Sequence, residues 1–268
     1  MQFAISSRSF ERQLLDGKQR LWDIPGDARL LGVRHVELHD MFLKPSGLRL
    51  LGRMQRFFQP PSPAPPDRVY DPGLLNRIQK ALDYYGVSVV AWACDSELGE
   101  PDLLPRARAY VRLALRTART LGAPVLCVTV DHDAVARNVK PVLSSLSALV
   151  VDAEMAGVRL ALENDQPDAR VERLLGIVQG VGSPWLGMSL NLQHFDPRSP
   201  AGLFERLAAQ AIHVLAPCCE DGEIDGVYRA YFGVLRTLRY EGAVSVELPG
   251  SDDPALGLRR ALDTLVRW

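Results

Sequence analysis

Cysteine is scarce: Cys94, Cys127, Cys218 and Cys219 are the only four in 268 residues, and none forms a CxxC spacing. That excludes a zinc ribbon and a thioredoxin-type redox motif, and it suits a cytoplasmic chain with reduced thiols. Cys218 and Cys219 are adjacent, a poor disulfide because a bridge wants Cα atoms about 4.4–6.8 Å apart. As single thiols they leave a nucleophile or metal ligand as the alternative. An excess of charge of one sign is also missing. Thirty-one basic against 32 acidic residues leave −1, which argues against a dedicated nucleic-acid binder. No apolar run reaches the 18 residues needed to span a bilayer. The start, MQFAISSRSFERQ, lacks the cationic and long apolar segments of a signal peptide. Lysine stands only at 18, 44, 80 and 140, which reads as codon bias toward arginine. No GxGxxG follows the first strand, so no nucleotide cofactor is expected.

What is present is ordinary globular material, 47% hydrophobic and 24% charged. A chain of this length buries a core without disulfide or metal staples. Short apolar runs at 2–6, 33–38, 87–93, 124–130, 158–162, 185–190, 211–215 and 243–248 read as strands. Near-continuous Val/Leu runs suit parallel strands covered on both faces. Helical spacing separates them: Leu74, Leu75, Ile78, Leu82 and Tyr85; then Tyr110, Leu113, Leu115, Ala118 and Leu121; then Val142, Leu146, Leu149, Ala153 and Met155. Gly32, Gly86, Gly122, Gly157 and Gly242 precede strands two, three, four, five and eight, where a left-handed residue would stop a helix. Eight such units predict an α/β (β/α)8 TIM barrel, a single domain over 1–268, in preference to an open doubly wound sheet. Residues 40–71 carry five prolines within 60–66, which forbid helix and most strand pairing. The loop after strand two overhangs the catalytic face of such a barrel, so the segment is a lid or a stiff surface connection.

Chemistry in this fold gathers at the C-terminal strand ends. Strand two ends in Glu37, His39 and Asp40, and strand three near Trp92, Cys94 and Asp95. Strand four leads into Asp131, His132 and Asp133, and strand five into Glu163, Asn164 and Asp165. Strand six ends in Asn191, Gln193 and His194, strand seven in Pro217, Cys218, Cys219, Glu220 and Asp221, and strand eight in Glu247. Three of the five histidines fall at these ends. The bland alternative is that each acid pairs with a rim arginine and each histidine touches solvent.

GVRHVELHD at strand two, ARTLGAPVLCVTV into strand four, GVRLALEN at strand five and WLGMSLNLQHF at strand six, with GEIDGVYRAYFGVLRTLRYEGAVSVEL leading into strand eight, together resemble the xylose isomerase-like barrel superfamily. That group includes sugar isomerases, sugar 3-epimerases, inosose dehydratases and endonuclease-four-type repair enzymes. The resemblance implies a metal quartet of Glu, Asp, His and Glu on strands five to eight. Glu163 and Glu247 match the two glutamates. Asn191 stands where the Asp of DxxH would be, with His194 as that motif's histidine. Leu215 stands at the strand-seven histidine, with His213 just before it. A divalent ion (manganese, magnesium or zinc) is therefore implied, but the tentative set Glu163, Asn191 and Glu247 is incomplete. Two carboxylates and an amide without imidazole make a weaker, harder site. A rearranged set using His132 or His39 with Glu163 and His194 is the alternative.

From these residues the expectation is an isomerase or epimerase of a small sugar-like or polyhydroxylated substrate, working by proton abstraction beside a carbonyl. Glu163 and Glu247 carry the proton, with His194 as a third catalytic group; acid/base action contributes about 10²–10⁴-fold per group. Glu37, His39, Trp92, His132, Asn191 and His213 are the substrate-binding candidates. A metal-free lyase or dehydratase and a non-catalytic barrel binding a metabolite or partner protein are the alternatives, since lost ligand positions mark decay as well as change. Abasic-site repair would need a fuller His/Asp/Glu set and a basic groove. Arg108, Arg112, Arg116 and Arg119 line one helical face, read as a solvated outer surface and not as a nucleic-acid or membrane contact.

Overall fold

The computed structural model describes residues 1–43, 71–99, 102–164, 171–195, 202–219, 224 and 226–268. Most of the proline-rich segment, 44–70, lies outside them, as do Asp165, Glu220 and Asp221. Eight parallel strands close into one barrel in sequence order: β1 Gln2–Ser6, β2 His35–His39, β3 Ser88–Leu98, β4 Val125–Val130, β5 Arg159–Glu163, β6 Leu186–Asn191, β7 Ala211–Pro217 and β8 Ala243–Glu247. Around it lie α1 Glu11–Leu15, α2 Ile24–Leu30, α3 Pro72–Tyr85, α4 Leu104–Thr120, α5 His132–Arg137, α6 Lys140–Ala156, α7 Val171–Val181, α8 Leu203–Ala208, α9 Tyr228–Thr237 and α10 Pro254–Arg267.

Local chemistry sets these boundaries. Asp71 caps α3 by accepting from the Gly73 N–H, with Pro72 at the first helical position. Asp131, one of the strand-four acids, caps α5 by accepting from the Asp133 and Ala134 amides, a structural role. Gly32, Gly86, Gly122 and Gly157 take positive φ before their strands, as expected. Gly242 does not. There Arg239 takes the left-handed turn at φ 53, and Gly242 is needed because a Cβ would run into the Tyr240 ring.

Alternation along the strands divides two cores. Trp92, Leu126, Leu160, Leu146 and Leu149 fill the layer between barrel and helices. Ala91, Ala93, Cys127 and Ala161 form a separate cluster. They share register with Glu37 and His39, since Glu37 pairs with Ala91, His39 with Ala93, and Cys127 with both Ala93 and Ala161. Ladder partners share a face, and Glu37 meets His213 of β7 from that face, so it is the barrel interior. Small residues there leave room for larger polar ones. On α6, Val142, Leu146, Leu149 and Ala153 are buried, but Met155 is 67% exposed; two positions beyond Ala153 on a 3.6-residue helix is the opposite side. On the arginine face of α4, Arg112 pairs with Asp152 of α6 at 2.7 Å and Arg119 reaches the Met155 carbonyl, tying the two helices together.

Candidate active site

The C-terminal ends of β5 and β6 are clamped to each other. The Asn191 amide donates to Asn164 Oδ1 at 2.6 Å, and Asn164 Nδ2 donates to the Asn191 carbonyl at 3.1 Å. This fixes the ends of the two strands, with Glu163, the last residue of β5, in register with Ser189, two residues before Asn191, the last of β6. Asn191 Oδ1 accepts from the Gln193 N–H and so caps the turn Leu192–His194. His194 ends that turn and is half-buried.

Glu163 is 8% exposed. Among the described residues no hydrogen bond or ion pair reaches its carboxylate. Burial, with the nearby negative charges of Glu37 and Glu247 outweighing His39 and Arg8, pushes it up to about 7. Glu247 is also buried, and its pKa is raised by burial against the pull of Arg8 and His39. It is held more firmly: Ser6 Oγ donates to Oε2 at 3.3 Å, and Arg8 Nε stands 3.7 Å from Oε1. The strand-eight backbone is fixed as well, because the amide and thiol of Cys218 both donate to the Glu247 carbonyl. The two carboxylates therefore face the same interior, and among the described residues one is partnered and the other is not.

Beneath them lies a closed polar network. Glu37 is fully buried between two histidines, with His39 Nε2 2.9 Å from Oε1 and His213 Nε2 3.4 Å from Oε2. Burial opposes its charge, but His213 and His39 outweigh that and hold the carboxyl well below the usual range. His213 bridges Ser189 through Nδ1 and Ser245 through Nε2, both at 2.9 Å, with Cys127 Sγ 3.6 Å from Nδ1. Burial lowers the pKa of His213, and its neighbours Cys127 and Glu37 raise it further than burial lowers it. The Cys127 thiol is itself pushed up by burial, so the Glu37 carboxylate is the anion that the imidazolium answers. His39 is likewise raised, burial being overcome by Glu37.

The substrate-binding candidates therefore separate by depth. Glu37 and His213 lie fully buried below the mouth, and His39 links them to Ser6 and Glu247. His132 opens α5 beyond β4 and is buried. Trp92 is a correction: strand alternation turns it outward with Leu38 and Leu126, its ladder partners, into the helix-facing core. The sequence reading missed Arg8, Ser6, Ser189 and Ser245. Arg8 follows β1 by two residues, so the strand-end rule applied to strand one would have found it.

The implied metal quartet does not fit this donor set. Leu215 is an apolar residue on β7 in register with Asn191 and Ser245. The Asn191 oxygen serves the Gln193 amide, and Glu247 serves Arg8 and Ser6. The rearranged alternative loses His39, which is engaged by Glu37. Among the described residues no group of three or more His, Cys, Asp or Glu side chains is arranged to hold a metal ion.

The family model for the xylose isomerase-like TIM barrel matches residues 31–268. This chain belongs to that family. Among solved structures, a D-tagatose 3-epimerase-like protein is 20% identical with a TM-score of 0.70, covering 100% of this chain and 97% of its own. A 3-keto-D-glucoside 4-epimerase from E. coli is 14% identical with a TM-score of 0.68, each chain covered in full at 100%. An IOLI protein with a binding zinc atom is 16% identical with a TM-score of 0.66, covering 100% of this chain and 97% of its own. At these identities the likeness is one of fold. No curated protein matches the sequence. Among the described residues of this xylose isomerase-like barrel, no helix is long and apolar enough to cross a membrane.

Proposed function

We propose that this xylose isomerase-like barrel is an isomerase or epimerase of a small sugar-like substrate. The observation that carries the reading is Glu163, a buried carboxylate with no partner among the described residues, facing Glu247 at the mouth. A general base must be free to take a proton and shielded enough to hold it. The epimerases among the structural neighbours make a hydroxylated carbonyl compound the natural substrate class. One of the two glutamates removes a proton from the carbon beside the carbonyl and the other returns one. Asn191 and His194 orient substrate hydroxyls, with His132 at the β4 side. His39 and the Glu37–His213 pair hold the floor beneath. Loss of a neighbouring hydroxyl from the same intermediate would make the enzyme a dehydratase.

Solvent-deuterium exchange tests this. Incubated in D2O with ketoses, aldoses and keto-sugars, the protein is expected to exchange the hydrogen beside the carbonyl of at least one, read by NMR. Glu163→Gln and Glu247→Gln are expected to lower that rate by about 10²–10⁴-fold, with Tm nearly unchanged. Full exchange in either variant removes the mechanism. The Leu215 position and the Arg8–Glu247 pairing favour one second reading, a metabolite-binding barrel without turnover. Sugar binding without any exchange would establish it.

A further inference from the structure

A site that turns a carbonyl into an enolate needs a fixed positive charge where the oxyanion forms, and the quartet that would hold a divalent ion is not assembled here. We propose that Arg8 supplies that charge, binding the two vicinal oxygens of an α-hydroxy carbonyl substrate. The inference rests on the isomerase or epimerase reading above.

Arg8 lies in the tight turn Ser7–Phe10 immediately after β1, and its N–H donates to Ser6 Oγ, which fixes the turn at the barrel mouth. Its Nε is sealed from solvent and, among the described residues, has no hydrogen-bond partner, standing 3.7 Å from Glu247 Oε1. The side chain as a whole is still 41% exposed. So the guanidinium is anchored on one catalytic carboxylate, acts electrostatically on the other, Glu163, and is not consumed by either. A guanidinium is planar, always charged and presents paired N–H donors, which match two adjacent oxygens as an ammonium cannot. In the step, a glutamate takes the proton from the carbon between carbonyl and hydroxyl. The C–H electron pair becomes the new C=C bond, and the carbonyl π pair moves onto oxygen as an enediolate facing Arg8. Return of a proton to carbon reverses the electron flow, so nothing is oxidised overall and no co-reactant is required.

The test is the deuterium-exchange assay with and without excess EDTA, on wild type, Arg8→Gln and Arg8→Lys. It is paired with calorimetric binding of a sugar hydroxamate, which mimics the enediolate, and of the matching alditol, which does not. Wild-type exchange is expected to be unchanged by EDTA. Arg8→Gln is expected to lose about 10²-fold or more of the rate, the usual effect of removing one oxyanion donor, and Arg8→Lys to recover part of it. Hydroxamate affinity should fall in Arg8→Gln while alditol affinity holds, a split that loosened folding alone would not give. Exchange that EDTA stops and manganese or zinc restores overturns the Arg8 assignment alone, as does hydroxamate binding to Arg8→Gln equal to wild type. Wild-type protein that exchanges no sugar overturns the functional reading itself, and this inference with it.

Discussion

Among the described residues Glu247 has two side-chain partners and Glu163 has none, and that difference divides their behaviour. Arg8 and Ser6 hold Glu247 in place, whereas Glu163, with burial as the largest influence, is pushed up to about 7. A base works in its deprotonated form. The exchange rate is therefore expected to rise as pH increases, with a single-proton inflection near 7 in a rate profile from pH 5 to 9; a rate falling over that interval would remove Glu163 as the base. Both glutamates and Asn191 were legible in the sequence because each ends an apolar run, and the barrel puts strand ends in one place. Trp92 was misplaced by the same rule, since a strand end says nothing about which face a residue takes until register is known. Arg8 lies within reach of the strand-end rule but carries no motif of its own, and its meaning comes from Glu247, some 240 positions away in the chain.

At the scale of elements, all eight strands were readable from apolar runs. β3 extends further than its run, to Leu98, because its ladder with β4 resumes at Leu98 and Val130 after a shift in register. That pairing is a tertiary event with no local signature. Glycines show the same divide. Gly187 lies on β6, where a Cβ would stand 2.8 Å from both the Gln210 carbonyl and Ile212 Cγ2. Neither the backbone nor a β-branched side chain gives way easily. Gly187→Ala is expected to destabilise by about 1–3 kcal/mol through overpacking. Gly176, exposed in α7 with nothing within 4 Å of its would-be Cβ, is the contrast. Gly176→Ala is expected to stabilise by about 1 kcal/mol, the helix-propensity difference. Urea denaturation of the two variants separates close approach from mere permissiveness, and equal midpoints would contradict the geometry at Gly187.

For the whole molecule, the Glu37 carboxylate joins β2 to β7 across the barrel through His213, and to the β1 and β8 side through His39 and Ser6. Removing one member of a buried charged set leaves the others uncompensated, which costs about 3–5 kcal/mol. Glu37→Gln is expected to lose that much, and it should also reverse the histidines' share of the pH dependence. In the wild type, His213 and His39 have folded pKa values above their ordinary 6.5, burial being overcome by their neighbours, Glu37 chief among the anions. The folded state thus keeps protons that the unfolded state releases, and this contribution falls as pH rises above 6.5. In Glu37→Gln the buried imidazoles lose their counter-charge and prefer to be neutral. At these two residues the unfolded state then binds more protons below 6.5, and their contribution to stability rises with pH toward that value. Glu163 and Glu247, both raised by burial, add a falling slope to either protein, so denaturation midpoints compared at pH 5.5 and 8 should fall more steeply with pH in the wild type than in Glu37→Gln. Parallel slopes would mean that the interior histidines are neutral in the wild type, and that the floor of the site is a hydrogen-bond scaffold without charge.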